Sequence, residues 1–177
     1  MICVSLIDGE ETSQYLIERS MMRPRFLLNL FSHCRGFAVN FDHEKIGRDD
    51  IRKGLDAFST DLIYDIDLEI RDVLPIAEDV LYVFLGQSAR LTAEDIERLL
   101  GNKFDGAART KIVDLLLWCG VLGVVRPTDE VAFIYSVNYD IKRLTGLMDG
   151  VPLEKRSFFI NPALWPGLEI TDQRRLL

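Results

Sequence analysis

Apolar residues return every three or four positions through the middle of this chain. Ile51, Leu55, Phe58, Leu62, Ile66, Ile70 and Val73 share one face, which predicts a long helix capped by Asp49 or Asp50 and ended or broken at Pro75. Upstream, an Asp8-Gly9 turn precedes a short helix carrying Tyr15, Leu16 and Arg19, which Ser20 and Pro24 should end. Pro24 then suits the first position of the next helix, where its missing N–H leaves no bond unmade. That helix, from Arg25 to Val39, is apolar nearly all round, so burial on several sides is expected. A further helix is predicted after Pro75, with Ala77, Val80, Leu81, Phe84 and Leu85 as its apolar positions.

The pattern changes near Gly86. Leu91 to Leu100 reads as a short helix with Thr92 as N-cap and Asp95 three residues on, stopped by Gly101 and Asn102. Ala107 to Cys119 reads as a second helix with Gly120 as a natural C-cap. Two β-rich runs, Val121 to Arg126 and Val131 to Ser136, flank a polar Pro-Thr-Asp-Glu turn and predict a hairpin. Tyr139 to Leu147 adds one more short helix. The expected fold is mainly α with a small β-hairpin, in three parts: a helical segment over 1–86, a winged-helix-like module over 87–148, and an irregular tail over 149–177. The aromatics Phe158, Phe159 and Trp165 imply that this tail packs on the body.

A length of 177 residues with 48% hydrophobic and 28% charged content is enough for a real core without staples. Cys3, Cys34 and Cys119 are odd in number and far apart, which implies no disulfide framework and a reducing, cytoplasmic setting. The longest uncharged apolar run, Leu115 to Val125, is about half of the ~20 residues a membrane span needs. The net charge of −7 is unevenly placed. Residues 1–89 hold 9 Lys and Arg against 16 Asp and Glu, whereas 90–148 hold 8 against 8 and 149–177 hold 4 against 4. No basic patch of the kind that neutralises phosphates is evident, so protein contact or self-association is favoured over nucleic acid.

The stretch Tyr15-Leu-Ile-Glu-Arg-Ser-Met-Met-Arg-Pro-Arg-Phe-Leu-Leu-Asn-Leu30 resembles the lid of bacterial P-loop ATPases of the AAA+ and STAND type. In these an Arg-Pro-Arg tripeptide opens a lid helix, and the likeness continues through Asp50 to Ser59 and Asp67 to Ile70 into a winged helix. The resemblance implies that Arg25, or else Arg23, reaches nucleotide phosphates as a sensor 2. A helix N-terminus beside guanidinium groups suits an anion. The chain has no Gly-x-x-x-x-Gly-Lys-Ser/Thr and no strand ending in a Walker-B acid pair, so ATP and Mg would be bound only with a core supplied elsewhere. The expected role is non-catalytic and regulatory; the alternative is a small winged-helix DNA-binding regulator.

Each candidate residue has a plainer reading. Arg23 and Arg25 equally suit bridges to carboxylates on a neighbouring helix. Asp61, Asp65, Glu69 and Asp72 form an acidic stripe on one helix face, fit for docking a basic partner, for a weak divalent site, or for simple solvation. His33, Cys34, His43 and Cys119 lack metal-ligand spacing, and the His33-Cys34 pair in an apolar helix reads as buried and inert. Arg109 and Lys111 open the helix that would read DNA, and Arg126 flanks the wing turn. That helix continues as Ile112-Val-Asp-Leu-Leu-Leu-Trp-Cys119, which looks buried, and the turn carries Asp129 and Glu130. Together these favour a protein partner.

Overall fold

The computed structural model describes residues 2–171. It is mainly helical with small β-sheets. In chain order the elements are β1 (Ile2–Cys3), β2 (Leu6–Ile7), β3 (Glu10–Glu11), α1 (Thr12–Arg19), α2 (Pro24–Asn40), β4 (Lys45–Ile46) and α3 (Arg48–Val73). They continue with β5 (Arg90–Thr92), α4 (Ala93–Gly101), α5 (Gly106–Trp118), β6 (Leu122–Val125), β7 (Val131–Ala132), α6 (Ile141–Gly146) and β8 (Ser157–Ile160). No helix among the described residues is long and apolar enough to cross a membrane.

The antiparallel pairing of α2 with α3 dominates the first half. Phe58, Leu62, Ile66 and Ile70 of α3 are fully or almost fully buried, as their spacing requires, and Phe26 of α2 meets Phe58 edge to face at 6.3 Å between ring centroids. Asp50 is the residue that caps α3, but from inside the first turn: its Oδ2 accepts the Gly47 N–H at 2.9 Å. Pro24 occupies the first turn of α2, as expected. Burial of α2 on several sides is not found. Only the stripe Phe26, Leu30, Cys34 and Ala38 is buried, while Leu28 is 70% exposed and Val39 also faces outward. The run after Pro75 is two 3-10 turns, Pro75–Ala77 and Val80–Phe84, rather than a helix, because Asp79 between them takes a left-handed conformation that interrupts the α ladder. The apolar N-terminus is not helical either; β1 pairs with β4 in parallel and β2 with β3 antiparallel.

The second half begins as the local signals predict. Thr92 accepts the Asp95 N–H at 3.1 Å and Asp95 accepts the Thr92 N–H at 3.0 Å, a reciprocal cap on α4. α5 ends with Gly120 at φ +78°, the Gly120 N–H on the Leu117 carbonyl and the Val121 N–H on the Leu116 carbonyl, a Schellman motif. The hairpin is shorter than expected, since Ile134–Val137 forms a 3-10 turn instead of extending β7.

The segment expected to be an irregular tail instead contributes a strand. β8 lies inside a four-stranded antiparallel sheet of order β5-β8-β6-β7, so the hairpin reaches β5 only through a strand from the far end of the chain. Beyond it the chain packs back on the body. Asn161 is fully buried, donating to the Gly120 carbonyl at 3.0 Å and accepting the Ala163 N–H at 3.1 Å. The Gly167 N–H donates to Ser59 Oγ on α3 at 3.0 Å. Residues 172–177 of that tail lie outside the described residues. One continuous apolar cluster runs from Ile7 to Ile170.

Candidate functional site

The antiparallel placement of α2 beside α3 puts the basic face of one against the acidic stripe of the other. Arg23 at the head of α2 donates from Nη1 to both carboxylate oxygens of Glu69, each at 3.1 Å. Its Nη2 reaches the Cys119 carbonyl at the end of α5 at 3.3 Å. Arg25 donates once, to Asp65 at 3.0 Å, and His33 Nε2 lies 2.9 Å from Asp61 Oδ2. Asp61, Asp65 and Glu69 are therefore matched in turn along the helix pair, and Asp72 stands exposed beyond the ladder. Both arginines also flank the buried Phe26 ring, at 5.1 and 5.5 Å from its centroid.

The two arginines are not equivalent. The Arg23 side chain is 25% exposed and held on three acceptors from two elements; that of Arg25 is 75% exposed with a single bond. Arg25 is thus the more loosely held of the two, whereas Arg23 joins α2 to both α3 and the end of α5.

The soft ligands do not converge. Burial pushes the Cys34 thiol up to about 12 and the Cys119 thiol up to about 11, which leaves both as thiols. His33 differs from the buried, inert expectation, since its ring is partly exposed and pairs with Asp61. His43 binds Asp50 at 2.9 Å. Among the described residues no group of three or more His, Cys, Asp or Glu gathers as a metal site would need.

Of the residues at the would-be DNA face, Arg109 Nε lies 3.0 Å from Glu97, and its Nη1 donates to the Phe104 carbonyl at 3.0 Å. Arg126 pairs with Glu130 at 3.2 Å. Lys111 is exposed. The three do not form one cationic surface, because the first two are neutralised by adjacent carboxylates and Arg90 is likewise paired to Asp129.

What sequence reasoning missed is a cavity of about 540 Å³ between α4, α5 and the connection from α6 to β8. Ile96, Val113, Leu117, Met148, Leu153 and Phe158 supply its apolar lining, and Glu94, Glu97, Asp114 and Glu154 its carboxylates. Arg109 lines it too, the one sequence candidate that does. The signal available was the apolar content of Met148, Leu153 and Phe158, but nothing local said that this tail would fold across α4 and α5. The described chain is thus a mainly helical, small-sheet protein with two features of note: a paired arginine–carboxylate ladder and an open apolar trough.

Residues 1–67, from β1 into α3, match a family described as the FunZ-associated C-terminal helical domain. No curated protein and no solved structure matches the chain.

Proposed function

We propose that the chain is a non-catalytic regulatory and interaction region, an accessory helical part of a larger P-loop ATPase-like assembly that works through protein contacts. The observation that carries the accessory reading is the match of residues 1–67 to a C-terminal helical domain; the P-loop ATPase part of it rests on the Arg-Pro-Arg resemblance alone. The sequence contains no phosphate-cradling Gly-rich loop with its lysine, so ATP and Mg would have to be held by another part of such an assembly. In that setting Arg25 is the residue for the phosphates. It sits on the first turn of α2, where the helix dipole favours an anion, and gives up only one exposed hydrogen bond to leave Asp65. A cytoplasmic location fits the three free cysteines.

Protein contact is preferred to DNA contact because Arg109 and Arg126 are already consumed by Glu97 and Glu130. The test is ATP turnover by the purified chain, with Arg25→Ala beside it. No turnover is expected from either. Turnover that disappears in Arg25→Ala would place a catalytic centre in the chain and sink the accessory reading.

A further inference from the structure

The cavity beside α5 is one end of a longer trough. Thr110, Val113, Asp114 and Leu117 face it at the i, i+3, i+4, i+7 spacing of a single helix side. A second cavity of about 380 Å³ shares Asp114 and Thr145 with the first and continues to Leu115, Trp118 and Ile141. The trough therefore follows α5 over residues 110–118, roughly 12 Å at ~1.5 Å rise per residue. Two large apolar side chains stand open along it, Trp118 at 49% and Leu153 at 65% exposure. An elongated apolar channel beside a helix fits another helix better than a compact small molecule.

The charges that line it say what kind of helix. Glu94, Asp114 and Glu154 make no ion pair among the described residues. Of the cations lining the two cavities, Arg109 is paired with Glu97, whereas Arg156, whose Nε donates to the neutral Val151 carbonyl at 3.1 Å, keeps its charge. Lys142 at the far end is the second cation of the lining without an ion pair. Three carboxylates, Glu94, Asp114 and Glu154, against two cations, Arg156 and Lys142, leave a negative surplus, so the complementary partner is basic. A second copy of this chain is a poor match, because its net charge of −7 has the same sign as that surplus.

Resting on the interaction-region reading above, we propose that this trough docks an amphipathic helix of a partner protein. The helix lays an apolar stripe along Val113, Trp118 and Leu153 and sets lysine or arginine flanks against Glu94, Asp114 and Glu154.

The experiment uses the full chain and two designed, fluorescein-labelled helical peptides with the same leucine stripe, one flanked by lysines and one by glutamates. Polarisation should show saturable binding of the lysine-flanked peptide at low salt, at least tenfold tighter than its glutamate-flanked twin. Trp118 emission should shift on binding, and Trp118→Phe should abolish that shift. Glu94→Lys with Asp114→Lys should weaken the lysine-flanked peptide at least tenfold and strengthen the other; Leu153→Asp should weaken binding about fivefold. These sites are at the surface, and unchanged melting curves check that the variants fold.

Absence of saturable binding, equal affinity for the two peptides, or indifference to the charge reversal would each overturn the proposal. So would a dimer of the free chain that Trp118→Lys converts to monomer, since the second copy would then be the occupant. ATP turnover by the chain would remove the accessory reading without changing the peptide result. Silent peptides with no turnover would remove only the docking site.

Discussion

Two aspartates of α3 show how much depends on the partner a carboxylate finds. Asp50 is almost fully buried; burial would raise its pKa, but the Gly47 N–H and His43 together lower it below the ordinary 3.8. Its contribution to stability is present above the unfolded value and lost as pH falls through the folded one. Asp67 is the opposite case. At 9% exposure it accepts only the Asp79 N–H, at 3.3 Å through Oδ2, and its Oδ1 meets no hydrogen-bond donor. Burial, with Asp79 and Glu78 beside it, raises its pKa. The folded state therefore holds that proton more readily than the unfolded chain, so the charge costs stability at neutral pH. The cost fades as pH falls through the raised value. Asp67→Asn keeps an acceptor for Asp79 and removes the charge. It should raise the melting temperature at about pH 7 and lose that advantage toward about pH 4, near the ordinary carboxylate range. A gap independent of pH in thermal melts would mean that packing rather than charge sets the effect.

Among the elements, the α2–α3 pair depends on a missing side chain. A Cβ on Gly54 would lie 2.6 Å from Cys34 Sγ and 2.7 Å from its backbone nitrogen, so the two helices meet closely only because residue 54 is glycine. Gly54→Ala should cost about 1–3 kcal/mol in denaturant unfolding despite alanine's better helix propensity, because backbone must move. Gly36, exposed in α2 with nothing within 4 Å of its Cβ position, is the control. Gly36→Ala should stabilise by up to about 1 kcal/mol, the full helix-propensity difference. The long helix was legible because seven apolar positions on one face leave little other choice. The exposed face of α2 was not: Leu28 and Val39 are as apolar as Leu30, and only the position of α3 decides which of them is covered.

For the whole molecule, the joint between the halves passes through Arg23. It ties α2 to Glu69 of α3 and to the end of α5 at Cys119. Arg23→Ala should lower stability by about 1–2 kcal/mol, because it removes charged hydrogen bonds from a partly covered site. Arg25→Ala, exposed and singly bonded, should stay within about 0.5 kcal/mol. Equal effects in urea unfolding would argue against a clasp. The arginines and the acidic stripe were both visible in the sequence, and the bridge between them was one of the two readings open there. That Arg23 rather than Arg25 is the anchored one was not visible, because it depends on where α5 ends.

The chain by itself determined its local elements: the period of α3, Pro24 at the start of α2, the Thr92 and Asp95 cap, and Gly120 after α5. Each rests on bonds or faces made within a few residues, which propensity and spacing encode directly. The trough and the four-stranded sheet were decided only in three dimensions. Ser157–Ile160 lies between β5 and β6, and Met148, Leu153 and Phe158 wall the trough, against α4, α5 and a hairpin that all come from earlier in the chain. Pairing across that separation leaves no periodic mark on the strand itself, so a tail that reads as irregular becomes an inner strand of the sheet and a wall of the trough.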